Sequence, residues 1–116
     1  MAKFTIYHNP RCSKSRQTLE LLNDKGADVA IVEYLKTPPS SEELHNILSL
    51  LKLTPQELMR KKEAEYKESG LNNSDLTVQQ QVDLMVAYPK VIERPIVVKG
   101  KKAVIGRPPE NVLKLF

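Results

Sequence analysis

Short apolar segments alternate with amphipathic stretches along this chain. Phe4-Thr5-Ile6-Tyr7 alternates and is rich in β-favouring types, which predicts a short strand, and Pro10 forbids its simple continuation. Helical spacing follows from Ser13 to about Lys25, with Leu19 and Leu22 on one face and Gly26 as a C-terminal stop. Val29-Ala30-Ile31-Val32 reads as a buried strand. Together these make a βαβ pattern, whose two strands should be parallel and whose crossover should be right-handed.

The middle of the chain changes to a helical period. Ser40-x-x-Glu43 is a capping box, and Leu44, Ile47, Leu48 and Leu51 fall on one stripe. Thr54-Pro55-Gln56-Glu57 repeats the start signal with proline at the first helical position. Thr77-x-x-Gln80 opens another helix carrying Val78, Val82 and Met85. After Pro89 the pattern returns to strands: Pro95-Ile96-Val97-Val98-Lys99 and Ala103-Val104-Ile105, joined as a hairpin by Gly100-Lys101-Lys102. Pro108-Pro109 starts a last helix with Val112, Leu113 and Phe116 available for burial. A single domain over residues 1–116 is expected, with a helical insertion at about residues 40–88 between two halves of a mixed sheet of about four strands. This is an α/β layer architecture in the thioredoxin order.

Composition narrows the function classes. One cysteine cannot form an internal disulfide, and no apolar run exceeds five residues, so neither a disulfide scaffold nor a membrane span is expected. The first residues turn polar too soon for a signal peptide, and a reducing cytoplasm is the expected compartment. A net charge of +4 comes with only six aromatic residues (four Tyr, two Phe), and acidic residues are interspersed, as in Lys61-Lys62-Glu63-Ala64-Glu65. That pattern argues against nucleic acid and for solvated surface plus an anion site.

The candidate chemistry centres on Cys12. An isolated cysteine most often behaves as a small buried hydrophobe. Here it lies where a strand turns into a helix, is followed by the polar run Ser13-Lys14-Ser15, and is bracketed by Arg11, Lys14 and Arg16. The thiolate is the reactive form of sulfur, and a helix N-terminus with basic neighbours favours it. Free N–H groups of the first helical turn would point at whatever anion Cys12 attacks. Further along, Arg60 follows a capped start, Arg94 precedes Pro95, and Arg107 precedes Pro108. Three guanidinium groups around a thiolate would make an oxyanion site, although each arginine singly is more often a solvated charge or a modest ion pair. A metal site is disfavoured: His8 and Cys12 are separated by Pro10 and no second cysteine or acidic ligand cluster supports them. His45 reads as a helix-surface residue, and Tyr7, Tyr34, Tyr66 and Tyr88 as packing or rim residues.

Over nearly its whole length the chain resembles the glutathione/glutaredoxin-dependent arsenate reductases of the ArsC family, and within them the chromosomal ArsC-like branch. The resemblance rests on His8-Asn9-Pro10-x-Cys12-x-x-Ser15-Arg16-x-Thr18-Leu19, Tyr34-Leu35-x-x-Pro38-Pro39, Leu58-x-Arg60-Lys61, Glu93-Arg94-Pro95-Ile96-Val97-Val98 and Arg107-Pro108. It implies a thioredoxin-like, glutaredoxin-like fold, with Cys12 as nucleophile and Arg60, Arg94 and Arg107 on the oxyanion and its arsenical intermediates. It further implies that His8 favours the thiolate, that Pro95 is the fold's cis-proline, and that Asn9, Ser13, Lys14, Ser15, Arg16 and Pro95 line the binding loop.

The implied reaction is reduction of arsenate, or a related oxyanion, to arsenite, with glutathione as co-substrate, glutaredoxin as electron donor and no tightly bound cofactor, in a monomeric protein. A single cysteine fits a route whose other sulfurs come from outside. The low-molecular-weight phosphatase loop is disfavoured, because it needs Cys-x5-Arg and here Cys12-x3-Arg16 stands instead. Two alternatives remain open at this point. One is an Spx-type regulator that binds RNA polymerase, whose redox members typically carry Cys-x-x-Cys where this chain has Ser15. The other is a monothiol oxidoreductase of glutaredoxin type.

Overall fold

A computed structural model describes residues 3–116. By contact density they fall into two compact units: the chain through Thr37 together with Arg94–Phe116, and Pro38–Glu93. In the first unit the element order is β1 (Phe4–Tyr7), α1 (Ser13–Asp24), β2 (Val29–Val32), β3 (Ile96–Lys99) and β4 (Lys102–Ile105), followed by a 3-10 helix over Pro109–Leu115. The sheet order is β2-β1-β3-β4, with β1 parallel to β2 and antiparallel to β3, and β3 antiparallel to β4. This is the thioredoxin-like mixed sheet that the element order predicts.

Alternation along β1 puts Phe4 and Ile6 on one face, where they pack with Leu22 of α1, Val97 of β3, and Val112 and Leu115 of the C-terminal 3-10 helix. Helix α1 closes as its sequence predicts. Gly26 takes φ +71 and lets the Ala27 N–H return to the Leu22 carbonyl at 3.1 Å, so the chain leaves the helix toward β2. Three local expectations are corrected. Val29–Val32 is not a buried strand: it is an edge, with Ile31 52% exposed, because only β1 pairs with it. Lys102 belongs to β4, leaving Gly100-Lys101 as the hairpin loop, with Gly100 at φ +58. The last helix is of the tighter 3-10 type throughout.

The second unit carries α2 (Ser41–Leu51), α3 (Ala64–Glu68) and α4 (Val78–Ala87), with 3-10 turns at Gln56–Leu58 and Pro89–Val91. Both capping boxes form: Ser40 Oγ accepts from the Glu43 N–H at 3.1 Å, and Thr77 Oγ1 accepts from the Gln80 N–H at 3.1 Å. Helices α2 and α4 pack together. Ser41 Oγ donates to Asp83 Oδ1 at 2.7 Å, and the His45 ring shares a 2.9 Å hydrogen bond with Gln79 Oε1. The start signal at Thr54 also forms. Its N–H donates to Glu57 Oε1 at 2.9 Å, and that bond holds the Glu57 carboxyl below its ordinary range. The helix nevertheless stops after one turn, since Met59 is extended and pairs antiparallel with Ile92, a long-range contact that overrides the local propensity.

Truncation of the core and loss of a cap separate in magnitude. Leu22→Ala should cost about 2–5 kcal/mol, as expected for a fully buried leucine, and Thr77→Ala about 1 kcal/mol. Urea denaturation of the purified variants measures both.

Candidate active site

Strand register decides what meets at one end of the sheet. Val32, Tyr7, Ile96 and Ile105 form a single row across the four strands. The next residues outward are therefore Glu33, His8, Pro95 and Gly106. Two hydrogen bonds continue the row: the His8 N–H to the Val32 carbonyl at 2.8 Å, and the Gly106 N–H to the Pro95 carbonyl at 2.9 Å. Arg94–Pro95 is cis, the isomer expected there, and Arg107–Pro108 is cis as well, which no sequence signal indicated.

The connection from β1 to α1 is a turn built from its own residue types. Asn9 and Pro10 occupy the first two turn positions that suit them, and the Cys12 N–H closes the turn on the Asn9 carbonyl at 3.0 Å. Asn9 Oδ1 accepts from the Arg11 N–H at 3.0 Å, and Arg16 Nη1 donates to the Pro10 carbonyl at 2.9 Å. Cys12 is then the N-cap of α1, with extended backbone (φ −94, ψ 122) and only 8% exposed. Ser13 and Lys14 open the first turn, and both are exposed.

Beneath the turn lies a buried polar pair. Ser15 Oγ accepts from the Asn9 N–H at 3.1 Å and is 2.6 Å from His8 Nδ1. Ser15 is fully buried and His8 nearly so. The serine hydroxyl has one proton, and of these two partners only the imidazole nitrogen can accept it. Satisfying the group therefore assigns the proton of neutral His8 to Nε2, with Nδ1 as acceptor. Electrostatics agree: burial holds the His8 pKa below its ordinary value, opposed by the Glu33 carboxylate and reinforced by the Arg16 guanidinium. At neutral pH His8 is an uncharged, hydrogen-bonded support for the loop.

The cation nearest the sulfur comes from the far end of the chain. Arg107 Nη2 donates to Cys12 Sγ at 3.6 Å, while its Nε donates to the Arg94 carbonyl at 2.8 Å. Arg94 is half-buried, with Nε and Nη1 shielded from solvent. The first unit thus brings together Cys12, His8, Asn9, Ser13, Lys14, Ser15, Arg16, Arg94, Pro95 and Arg107 at one end of its sheet. Arg60 belongs to the second unit, where its guanidinium engages Glu63 Oε1 through Nη1 and lies 3.9 Å from Glu93 Oε1 through Nε. Among the described residues no group of three or more His, Cys, Asp or Glu side chains is placed to hold a metal, and no helix is long and apolar enough to cross a membrane. A thiol at a helix N-cap with a guanidinium on its sulfur is equipped for nucleophilic attack on an anion.

Thr18 stands in the family motif, but nothing in the sequence assigns it a role of its own; in the structure it is fully buried. Its Oγ1 donates to the Lys14 carbonyl at 2.8 Å and lies 3.4 Å from the Gly106 carbonyl, 88 residues away. No local pattern marks such a contact, which joins α1 to the residue that follows β4.

Comparison with known proteins adds four findings. The ArsC family model matches residues 7–115. The chain is 50% identical over 111 residues to the uncharacterized protein YfgD of Escherichia coli K12, covering 95% of this chain and 93% of that one. It is 45% identical over 112 residues to an arsenate reductase of Haemophilus influenzae, covering 96% and 97%. A solved structure of an arsenate reductase from Vibrio cholerae superposes with a TM-score of 0.94 at 46% identity, over 99% of this chain and 98% of that chain.

The His8–Ser15 pair gives stability a sign with pH. A histidine whose folded pKa lies below its unfolded value of about 6.5 leaves the unfolded state to take up protons first on acidification. Its contribution is complete above about pH 6.5 and is lost as pH falls from there through the folded pKa. Thermal melts of wild type and His8→Gln across this window should show a downward step in the wild type that the variant lacks. Equal pH dependence in both would remove His8 from the linkage.

Proposed function

Because the chain belongs to the ArsC family, we propose that it reduces arsenate to arsenite through the Cys12 sulfur, with glutathione and glutaredoxin as electron donors. The observation that carries this reading is the Arg107 guanidinium on Cys12 Sγ at the N-cap of α1. Arsenate is a tetrahedral oxyanion, and planar paired N–H donors suit it. Attack by the thiolate forms a sulfur–arsenic(V) bond, and one arsenate oxygen leaves as water after taking up protons. Arg107 and Arg94 stabilise the charge on the remaining oxygens, and the family resemblance implies an oxyanion-binding role for Arg60 as well. The arsenical is adjacent to the first-turn N–H groups of α1, which favour negative charge.

Reduction needs two electrons, and this chain has one sulfur. A glutathione thiol attacks Cys12 Sγ, the sulfur–arsenic bond breaks with its electron pair going to arsenic, and arsenic(III) departs. Cys12 and glutathione are left as a mixed disulfide, so the two sulfurs carry the oxidation. Glutaredoxin, using a further glutathione, then returns Cys12 to the thiol. His8 keeps the loop in register without contributing charge, and Pro95 packs beside Gly106, the residue before Arg107.

Arsenite formation in the presence of glutathione, glutaredoxin, glutathione reductase and NADPH tests the assignment. Cys12→Ser should abolish turnover, and Arg60→Ala, Arg94→Ala and Arg107→Ala should each lower kcat/KM by about ten- to a thousandfold, as for lost oxyanion donors. Full activity in Cys12→Ser would overturn the mechanism. Arginine variants that lose nothing would point to monothiol chemistry on a different substrate.

A further inference from the structure

We propose that Thr18 is the positioning residue that sets the distance between the Cys12 sulfur and the Arg107 guanidinium. This rests on the reading of those two groups as nucleophile and oxyanion donor. They approach one another across the first unit: Cys12 caps α1, whereas Arg107 follows β4, and the contact between them is 3.6 Å. Something must fix the spacing of the helix against the residues that leave β4, because an arginine side chain alone is long and adaptable.

Thr18 is the side chain at that junction. It lies on α1 and is fully buried, and Oγ1 reaches the Gly106 carbonyl at 3.4 Å while donating to the Lys14 carbonyl at 2.8 Å. Gly106 is the residue immediately before Arg107, and the space beside it is full. A Cβ there would come within 2.5 Å of Thr18 Oγ1, 3.0 Å of Thr18 Cγ2 and 2.8 Å of Pro95 Cγ. Thr18 and Pro95 therefore fill the volume that a side chain at position 106 would take, and the Gly106 backbone is held between them, with its N–H on the Pro95 carbonyl at 2.9 Å. Position 107 inherits that placement. The Arg107 Nε bond to the Arg94 carbonyl at 2.8 Å then fixes the direction of the guanidinium, and the distance left to Cys12 depends on how closely α1 approaches Gly106. Threonine is suited to this place. Its branched Cβ allows few rotamers, so the methyl and hydroxyl act as a rigid spacer.

The spacing can be read without arsenate, by alkylating Cys12 with iodoacetate, an anion, and iodoacetamide, which is neutral. A guanidinium close to the sulfur favours the anionic reagent, so the ratio of the two rates reports Arg107 at Cys12. Thr18→Ala should lower this ratio by about three- to tenfold toward that of Arg107→Ala, and the double variant should fall no further than Arg107→Ala alone. Thr18→Val, which keeps the shape, should retain most of the wild-type ratio. A purely structural role would lower the melting temperature and slow both reagents alike. An unchanged ratio in folded Thr18→Ala, an equal loss with both reagents, or independent effects in the double variant would each overturn the proposal. If Thr18→Ala does not fold, Thr18→Ser decides, with a smaller fall expected and no fall contradicting it. A failure here with arsenate turnover intact would leave the proposed reaction standing. Absence of turnover with the ratio behaving as expected would reject the reaction and keep the positioning role.

Discussion

The central strand β1 is paired on both sides, and its register with β2 and β3 governs everything chemical in the first unit. Because Tyr7 stands opposite Ile96, and Ile96 opposite Ile105, three separate pieces of chain must leave the sheet at the same end. One carries Cys12, one carries Arg94 and Pro95, and one carries Gly106 and Arg107. Register in a half-buried sheet is strongly specified, since a slip of one residue would turn Phe4 and Ile6 out of the core. The same hydrophobic alternation that builds the core therefore brings sulfur and guanidinium together. Parallel pairing of β1 with β2 adds the second constraint: the chain must cross over, and α1 has to start at the end of β1 where the site is.

Within that frame the loop is held by polar groups rather than apolar ones. Ser15 is fully buried and would be costly if left unsatisfied. Its bonds to the Asn9 N–H and to His8 tie the first turn of α1 to the residues just beyond β1. The imidazole is desolvated, accepts the serine proton at Nδ1 and is neutral at physiological pH. The positive charge beside Cys12 Sγ is that of the Arg107 guanidinium.

Much of this was legible in the residues, for identifiable reasons. Capping boxes at Ser40 and Thr77, the stop at Gly26 and the alternation of Phe4–Tyr7 are local signals, and each formed. Thr54 shows the limit of such signals. Its cap is made, yet the helix ends at Leu58 because Met59 pairs with Ile92, and nothing near residue 54 encodes that partner. The exposure of Ile31 was likewise hidden, because an apolar run does not say whether a strand has one neighbour or two. In the site, Cys12 and the residues around it announced themselves by composition, and the arginines by resemblance to a family. The Arg107–Arg94 carbonyl bond and the Thr18–Gly106 contact depend on groups brought together by the tertiary fold, and local pattern cannot show them.

The most direct test of Cys12 as the nucleophile is its covalent state during the reaction. The purified protein would be incubated with arsenate and glutathione in the absence of glutaredoxin, and peptide mass spectrometry would follow Cys12 while arsenite is measured in the same sample. The proposed route predicts a Cys12–glutathione mixed disulfide that depends on arsenate and accumulates in step with the arsenite released. Arsenite released while Cys12 remains a free thiol would contradict it.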